Sequence, residues 1–287
     1  MLLTAGAMLA FAANSLLCRL ALLHSSIDPA SFSSVRLVSG ALALALIVRL
    51  KSGGAPPARA DWPAAAMLFG YVACFSFAYV TLSAGTGALI LFGTVQLTML
   101  TAGLWAGESF RPLAWVGFAL AVGGLVYLLS PGVTAPAPIG ATLMAVAGVS
   151  WGGYSLRGRG VTDPLAATAS NFLRAVPFTL ALSVVFAMQS HSDSNSHASF
   201  TGLALAVASG ALTSGIGYVI WYAALAGLSA MRAATVQLSV PPIAALGAVI
   251  ALSESITPRW ALASVAILGG IFLVLASRSQ APKPARV

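Results

Sequence analysis

A small set of polar and aromatic side chains stands inside stretches that are otherwise apolar: Asn14, Ser15, Tyr71, Tyr79, Gln96, Trp151, Tyr154, Ser214, Tyr218, Trp221 and Gln237. Their chemistry is that of binding. Neutral amides and hydroxyls hold the carboxylate and ammonium of a zwitterion without adding a buried charge. Aromatic walls stack on a flat apolar group or face an ammonium. The same residues also have structural readings, because single polar groups glue helices together and Trp or Tyr anchor at membrane interfaces. Parts for catalysis are missing: no paired carboxylates stand within the apolar stretches, no Ser and His share suitable helices, and no metal-ligand spacing recurs. His191, Asp193 and His197 cluster in a polar loop that reads better as a solvated linker than as a metal site. The expectation is a protein that is not an enzyme and has no cofactor.

Two arginines, Arg36 and Arg174, lie within apolar stretches. A charge there costs roughly 2.5 to 3.5 kcal/mol at the centre of a membrane helix, so each needs a partner. Snorkelling or bonding to carbonyls is one account. Pairing with a glutamate across the molecule, Arg36 with Glu254 and Arg174 with Glu108, is another and would make these four residues gates. Asp28 and Asp163 offer rival partners for the arginines, and Arg111, three residues on, offers one for Glu108. Pro241 and Pro242 sit in the middle of a further apolar run, where proline deletes a backbone donor and forces a kink or break. Freed carbonyls inside a membrane must be satisfied by protein or line a wet cavity, so these prolines are candidate hinges.

The elements that carry these groups follow from composition. Charged residues are 7% of the 287-residue chain, the hydrophobic fraction is 59%, and the mean hydropathy is +0.94, which together describe an integral membrane protein. A spanning helix needs about 20 apolar residues. Ten stretches qualify, approximately Leu2–Leu22, Ala30–Val48, Pro63–Thr81, Thr86–Trp105, Leu113–Leu129, Ile139–Leu156, Leu165–Ala187, Leu203–Tyr222, Met231–Leu252 and Trp260–Ala276. Strict alternation is absent, so an all-α fold is expected and not a barrel. Cys18 and Cys74 fall in apolar segments and read as packing residues.

Lys and Arg set the orientation. With a cytoplasmic amino terminus, ten of them (Arg49, Lys51, Arg59, Arg111, Arg157, Arg159, Arg232, Arg278, Lys283 and Arg286) fall on the inner side and two, Arg19 and Arg259, on the outer. Both termini are therefore expected in the cytoplasm. The basic balance, net +8, reports topology and not nucleic-acid binding.

The chain also repeats itself. Residues 83–129 set against 229–275 without a gap pair Glu108 with Glu254, Ser109 with Ser255, Pro112 with Pro258, and the double glycine 123–124 with 269–270. Fainter echoes join "DPASFSSVR" to "DPLAATASNFLR", making Arg36 and Arg174 counterparts. Five spans per half is an odd number, so the second half must cross the bilayer upside down relative to the first, an arrangement that transporters use around a central site. The expected units are residues 1–130 and 139–276, followed by a cytoplasmic tail at 277–287. The double glycines, and Gly148 with Gly152, are expected to let backbones approach closely.

The segments "AGTGALILFGTVQL", "GLWAGESFRPLAWVGFALAVGGLVYLL" and "VQLSVPPIAALGAVIALSESITP" resemble the EamA family of the drug/metabolite transporter superfamily, and the likeness runs from about Leu2 to Ala276. The architecture is similar to that of YddG-like exporters of aromatic amino acids, which implies ten helices around a central cavity. It also implies a multi-pass protein of the bacterial inner membrane that exports small neutral metabolites, amino acids including aromatic ones. No Asp or Glu lies in the core of any span, and carboxylates are the usual proton and Na⁺ relays, so transport down the substrate's own gradient by alternating access is expected. A nucleotide-linked or phosphorylated cargo on the same fold remains the alternative, although such anions call for more cavity-facing Lys or Arg than Arg36 and Arg174. Partners are then a small-molecule substrate and the lipid bilayer, with no nucleic acid.

Overall fold

The computed structural model describes residues 2–23, 27–52, 61–107, 111–158, 161–189, 198–225 and 236–277. Helices α1 to α7 run Leu2–Leu23, Pro29–Ser52, Trp62–Ala78, Ala84–Trp105, Pro112–Leu129, Pro138–Arg157 and Pro164–Gln189. The eighth, α8, is composite: Phe200–Val207, then a π-helical stretch Ala208–Ile216, then Gly217–Leu225. Val240–Leu252 forms α9 and Pro258–Ser277 forms α10. Eight of the ten are long and apolar enough to cross a membrane, and α3 and α9 are shorter apolar helices. Large apolar side chains such as Leu42, Val126, Val265 and Phe272 are exposed on the outside of the bundle. That surface suits lipid and would be costly in water.

Local chemistry explains the boundaries. Proline opens α2, α5, α6, α7 and α10, where its missing N–H would be unpaired anyway and its fixed φ suits the first turn. Asp61, Ser83 and Ser199 cap α3, α4 and α8 by accepting from the N–H of Ala64, Thr86 and Gly202. Pro241 and Pro242 correct the expectation of mid-helix prolines. The ninth segment does break, with a turn at 238–239, but the prolines occupy the first turn of α9 after it, so they clash with no preceding turn.

The packing has internal symmetry. Counterparts five helices apart meet directly: α5 packs on α10, α2 on α7, and α4 on α9. Other large contacts come in matched sets, α3 with α6 mirrored by α8 with α1, and α4 with α6 mirrored by α9 with α1. Glu254, just past the end of α9, accepts a hydrogen bond from the Ala84 N–H at the start of α4. Two helices that match in sequence therefore run antiparallel, which makes the chain a ten-helix, inverted-repeat membrane fold.

Small residues allow the close approaches. Gly148 and Gly152 of α6 lie against Thr94 and Thr98 of α4. Within each double glycine only the second packs: a Cβ at Gly124 would sit 2.7 Å from Ala266 Cβ, and one at Gly270 would sit 2.5 Å from the Gly117 carbonyl, whereas Gly123 and Gly269 face open space. Gly270→Ala is therefore expected to cost about 1–3 kcal/mol by overpacking. Gly269→Ala should be neutral or stabilising by up to about 1 kcal/mol. Thermal unfolding of the two variants in detergent checks the difference.

Candidate functional site

Helices α1, α3, α4, α6 and α8 surround a cavity near the middle of the bundle, lined by Phe11, Asn14, Ser15, Tyr71, Phe75, Leu91, Phe92, Trp151, Thr213, Ser214 and Tyr218. Six of the sequence candidates thus meet in one place: Asn14, Ser15, Tyr71, Trp151, Ser214 and Tyr218. The rings form a continuous wall. Trp151 stacks on Tyr218 with centroids 5.3 Å apart and planes 19° from parallel, and lies 4.9 Å from Tyr71. Phe11 meets Tyr218 edge-on at 6.1 Å.

The other candidates fall outside the lining. Tyr154 backs Trp151 at 5.5 Å and Trp221 backs Phe11 at 5.8 Å, so both support the wall from behind. Tyr79 is fully buried and its hydroxyl donates to the Ala84 carbonyl at 3.3 Å, a structural tie between α3 and α4. Gln96 is buried in α4 and Gln237 is half-buried before α9, neither of them in the cavity wall. Glu108, the 278–287 part of the tail, and the His191, Asp193 and His197 cluster lie outside the described residues.

A polar seam crosses one side of the cavity and joins the two halves. Asn14 Nδ2 donates to the Tyr71 hydroxyl at 3.4 Å. Its Oδ1 accepts from Ser209 Oγ at 2.6 Å and Thr213 Oγ1 at 3.2 Å. Arg36 Nη2 donates to the same Tyr71 hydroxyl at 3.0 Å, and Arg36 Nε donates to Ser214 Oγ at 3.3 Å. Ser209, Thr213 and Ser214 all belong to the π-helical stretch of α8. Extra residues of this kind inside a helix cluster at functional sites. The stretch approaches α2 backbone to backbone: a Cβ at Gly210 would run into Ser39 Oγ and the Arg36 carbonyl.

The two intramembrane arginines, counterparts in sequence, differ in setting. Arg174 is half-buried and donates to the Ser170 carbonyl of its own helix at 3.1 Å, the carbonyl-bonded account. Arg36 is 1% exposed, with its guanidinium 4.9 Å from the Phe75 ring centre and 5.2 Å from that of Tyr71. The expected Arg36–Glu254 pair does not form, and Glu108, the partner expected for Arg174, lies outside the described residues. Glu254 instead binds Arg19, an arginine whose place in the sequence points only to topology.

Arg19 and Glu254 make a lock at one end of the bundle. Arg19 Nε meets Glu254 Oε1 at 3.0 Å, Arg19 Nη1 donates to the carbonyls of Tyr79 and Val80 at 2.9 and 3.1 Å, and Glu254 Oε2 takes the Ala84 N–H at 2.8 Å. One ion pair therefore fastens α1 to the end of α3, the start of α4 and the end of α9. A vestibule of about 460 Å³, with Ser83, Thr86, Thr257 and Trp260 in its wall, opens over this pair. At the opposite end Arg157 holds Asp61 at 2.7 Å. Partial burial pushes the Asp61 carboxyl up, but hydrogen bonds from Arg157 and the Ala64 N–H outweigh it and hold the group below the usual carboxylate range.

The central cavity itself encloses about 20 Å³, room for about one water, whereas sites for small organic molecules span roughly 300–1,000 Å³. Helices must part before a metabolite fits.

Sequence and structure comparisons agree with this architecture. A family model described as the EamA-like transporter family matches residues 1–130 and again 138–276. The chain is 54% identical over 278 residues to an uncharacterized protein of Pseudomonas aeruginosa, covering 97% of this chain and 95% of that one. A crystal structure 21% identical in sequence superimposes with a TM-score of 0.64, covering 96% of this chain and 97% of that chain, a likeness of fold. Two matched halves of opposite polarity, enclosing an aromatic cavity in a lipid-facing bundle, are thus accompanied by a family match over nearly the whole length: the chain belongs to the EamA-like transporter family.

Proposed function

We infer that this transporter exports small zwitterionic metabolites, amino acids with aromatic side chains among them, by alternating access and down the substrate's own gradient. The observation that carries the reading is the cavity's division of labour. Phe11, Phe75, Phe92, Trp151 and Tyr218 offer flat apolar surface on several sides, while Asn14, Ser15, Thr213 and Ser214 gather hydrogen-bonding groups in the same lining. That combination suits a ring attached to a polar head. A phosphorylated or nucleotide-linked cargo is less well served, since Arg36 is the arginine beside the cavity and Arg174 turns to its own helix.

Uniport is supported by the sequence positions of the acidic residues, because all six fall outside the cores of the apolar stretches. The excess of Lys and Arg on one side supports cytoplasmic termini in a bacterial inner membrane and puts the Arg19–Glu254 lock on the outer side. Counterflow in proteoliposomes tests the reading: labelled phenylalanine should accumulate saturably against an unlabelled internal pool, and glucose 6-phosphate should not compete. Absence of saturable phenylalanine flux removes the substrate assignment. Strict dependence on a proton or Na⁺ gradient removes uniport.

A further inference from the structure

Among the described residues, Arg36 is a buried cation without a counter-anion. Its side chain is 1% exposed in the interior of a membrane protein, and no carboxylate among the described residues pairs with it. Two of its nitrogens have neutral acceptors, Tyr71 and Ser214. The third, Nη1, is buried with no hydrogen-bond partner among the described residues. Proteins rarely leave a buried charge so placed, because an unpaired ion loses hydration without any Coulombic return.

The position of the guanidinium gives a reason. Both of its acceptors and both of its aromatic neighbours, Tyr71, Ser214 and Phe75, are residues of the cavity wall. The cation therefore sits one side-chain layer behind the collapsed cavity. When the helices part, Nη1 is the donor with nothing to lose by turning toward a ligand. Resting on the zwitterion reading above, we propose that the Arg36 guanidinium is the receptor for a carboxylate on the substrate, so that the cargo itself supplies the anion that the described residues do not. A planar fork of N–H donors matches a carboxylate bidentately. The site then selects against amines that have the same ring and no acid group, since these leave the cation unpaired and add a second positive charge beside it.

The test uses the full-length protein in proteoliposomes, with Arg36→Gln and Arg36→Lys beside the wild type. For the wild type, 3-phenylpropionate, which keeps the carboxylate and lacks the ammonium, should compete with phenylalanine, and phenethylamine should not. Arg36→Gln should lose about 100-fold in phenylalanine flux, the scale of a charge-assisted bidentate contact. Arg36→Lys, with the charge and without the fork, should retain part of it. The thermal midpoint separates binding from a purely structural role: Arg36→Gln should unfold at the wild-type temperature or above it, because removing an unpaired buried charge relieves a cost. Phenethylamine competing as well as 3-phenylpropionate, or Arg36→Gln carrying phenylalanine within twofold of wild type, overturns the proposal, as does a lowered midpoint in step with lost flux. Should phenylalanine not be carried at all, the amino-acid reading fails while this one is still decided. In that case thermal stabilisation by 3-phenylpropionate, benzoate or pyruvate, seen in the wild type and absent from Arg36→Gln, supports it, and no such difference overturns it.

Discussion

Glu254→Gln is expected to slow transport about 30-fold and to expose the Ser83 side of the molecule to reagents from the vestibule. The side chains of Arg19 and Glu254 are 12% and 14% exposed, between the open-surface pair worth up to about 1 kcal/mol and the buried pair whose breakage costs about 3–5 kcal/mol. A loss of about 2 kcal/mol from the closed state follows, and that shifts an equilibrium about 30-fold. The proposed alternating-access cycle needs this end closed in one half of its turn, so the shift enters the rate directly. Ser83→Cys, in a background lacking Cys18 and Cys74, reports closure through its labelling by a membrane-impermeant thiol reagent. Exchange of the two charges should not rescue. In the double variant Arg19→Glu with Glu254→Arg, the new glutamate faces the Tyr79 and Val80 carbonyls and the new arginine faces the Ala84 N–H, so every backbone contact has the wrong sign. Wild-type flux and labelling in Glu254→Gln would show that the pair locks nothing.

This lock also marks where sequence reasoning stops. Most helices were legible because a bilayer-crossing helix needs about 20 apolar residues and prolines and caps punctuate the chain, although α3 and α9 are shorter. Inversion was legible from an odd count of spans per repeat. Arg19 was not, since a lone arginine near a span end looks like any interfacial charge, and only the assembled bundle brings it to a glutamate 235 residues away. The π-helical stretch was equally silent: "ASGALTSGI" has no local signature that distinguishes it from an ordinary turn of helix.

Side-chain direction was the other gap. Helix α4 is apolar on every side, so no stripe of sequence says which face looks inward, and Gln96 stood out for its polarity and not for its position. Phe11, Phe75, Phe92 and Leu91, all in the cavity wall, were invisible for the converse reason, being apolar residues among apolar residues. Arg36 and Arg174 show the limit most plainly. Their sequence contexts match, yet Tyr71 and the displaced turn bearing Ser214 surround one, and its own helix carbonyl satisfies the other.

Asn14→Asp should uncouple stability from transport, raising the thermal midpoint by several degrees while cutting phenylalanine counterflow about 100-fold. Asn14 and Arg36 share the Tyr71 hydroxyl, at 3.4 and 3.0 Å. An aspartate at this position keeps the acceptor that Ser209 and Thr213 use and loses the donor that Tyr71 accepts, after which the Tyr71 hydroxyl is free to donate in its turn. Because both side chains reach the same Tyr71 hydroxyl, at 3.4 and 3.0 Å, the new carboxylate comes within roughly 6 Å of the guanidinium, where an effective dielectric near 20 gives an attraction of about 3 kcal/mol or more. The internal anion then neutralises Arg36 and competes with the carboxylate of the cargo, which a ligand at ordinary concentration cannot displace. Asn14→Leu separates this effect from simple damage. It removes all three hydrogen bonds of Asn14 and takes from the buried Ser209 hydroxyl its acceptor at about 1–3 kcal/mol, while Thr213 keeps the Ser209 carbonyl and Tyr71 keeps Arg36, so midpoint and flux should fall together. An Asn14→Asp protein that transports at the wild-type rate, or that unfolds at lower temperature as the leucine variant does, would mean that the charge on Arg36 is already balanced and that the cavity has no need of an anion from outside.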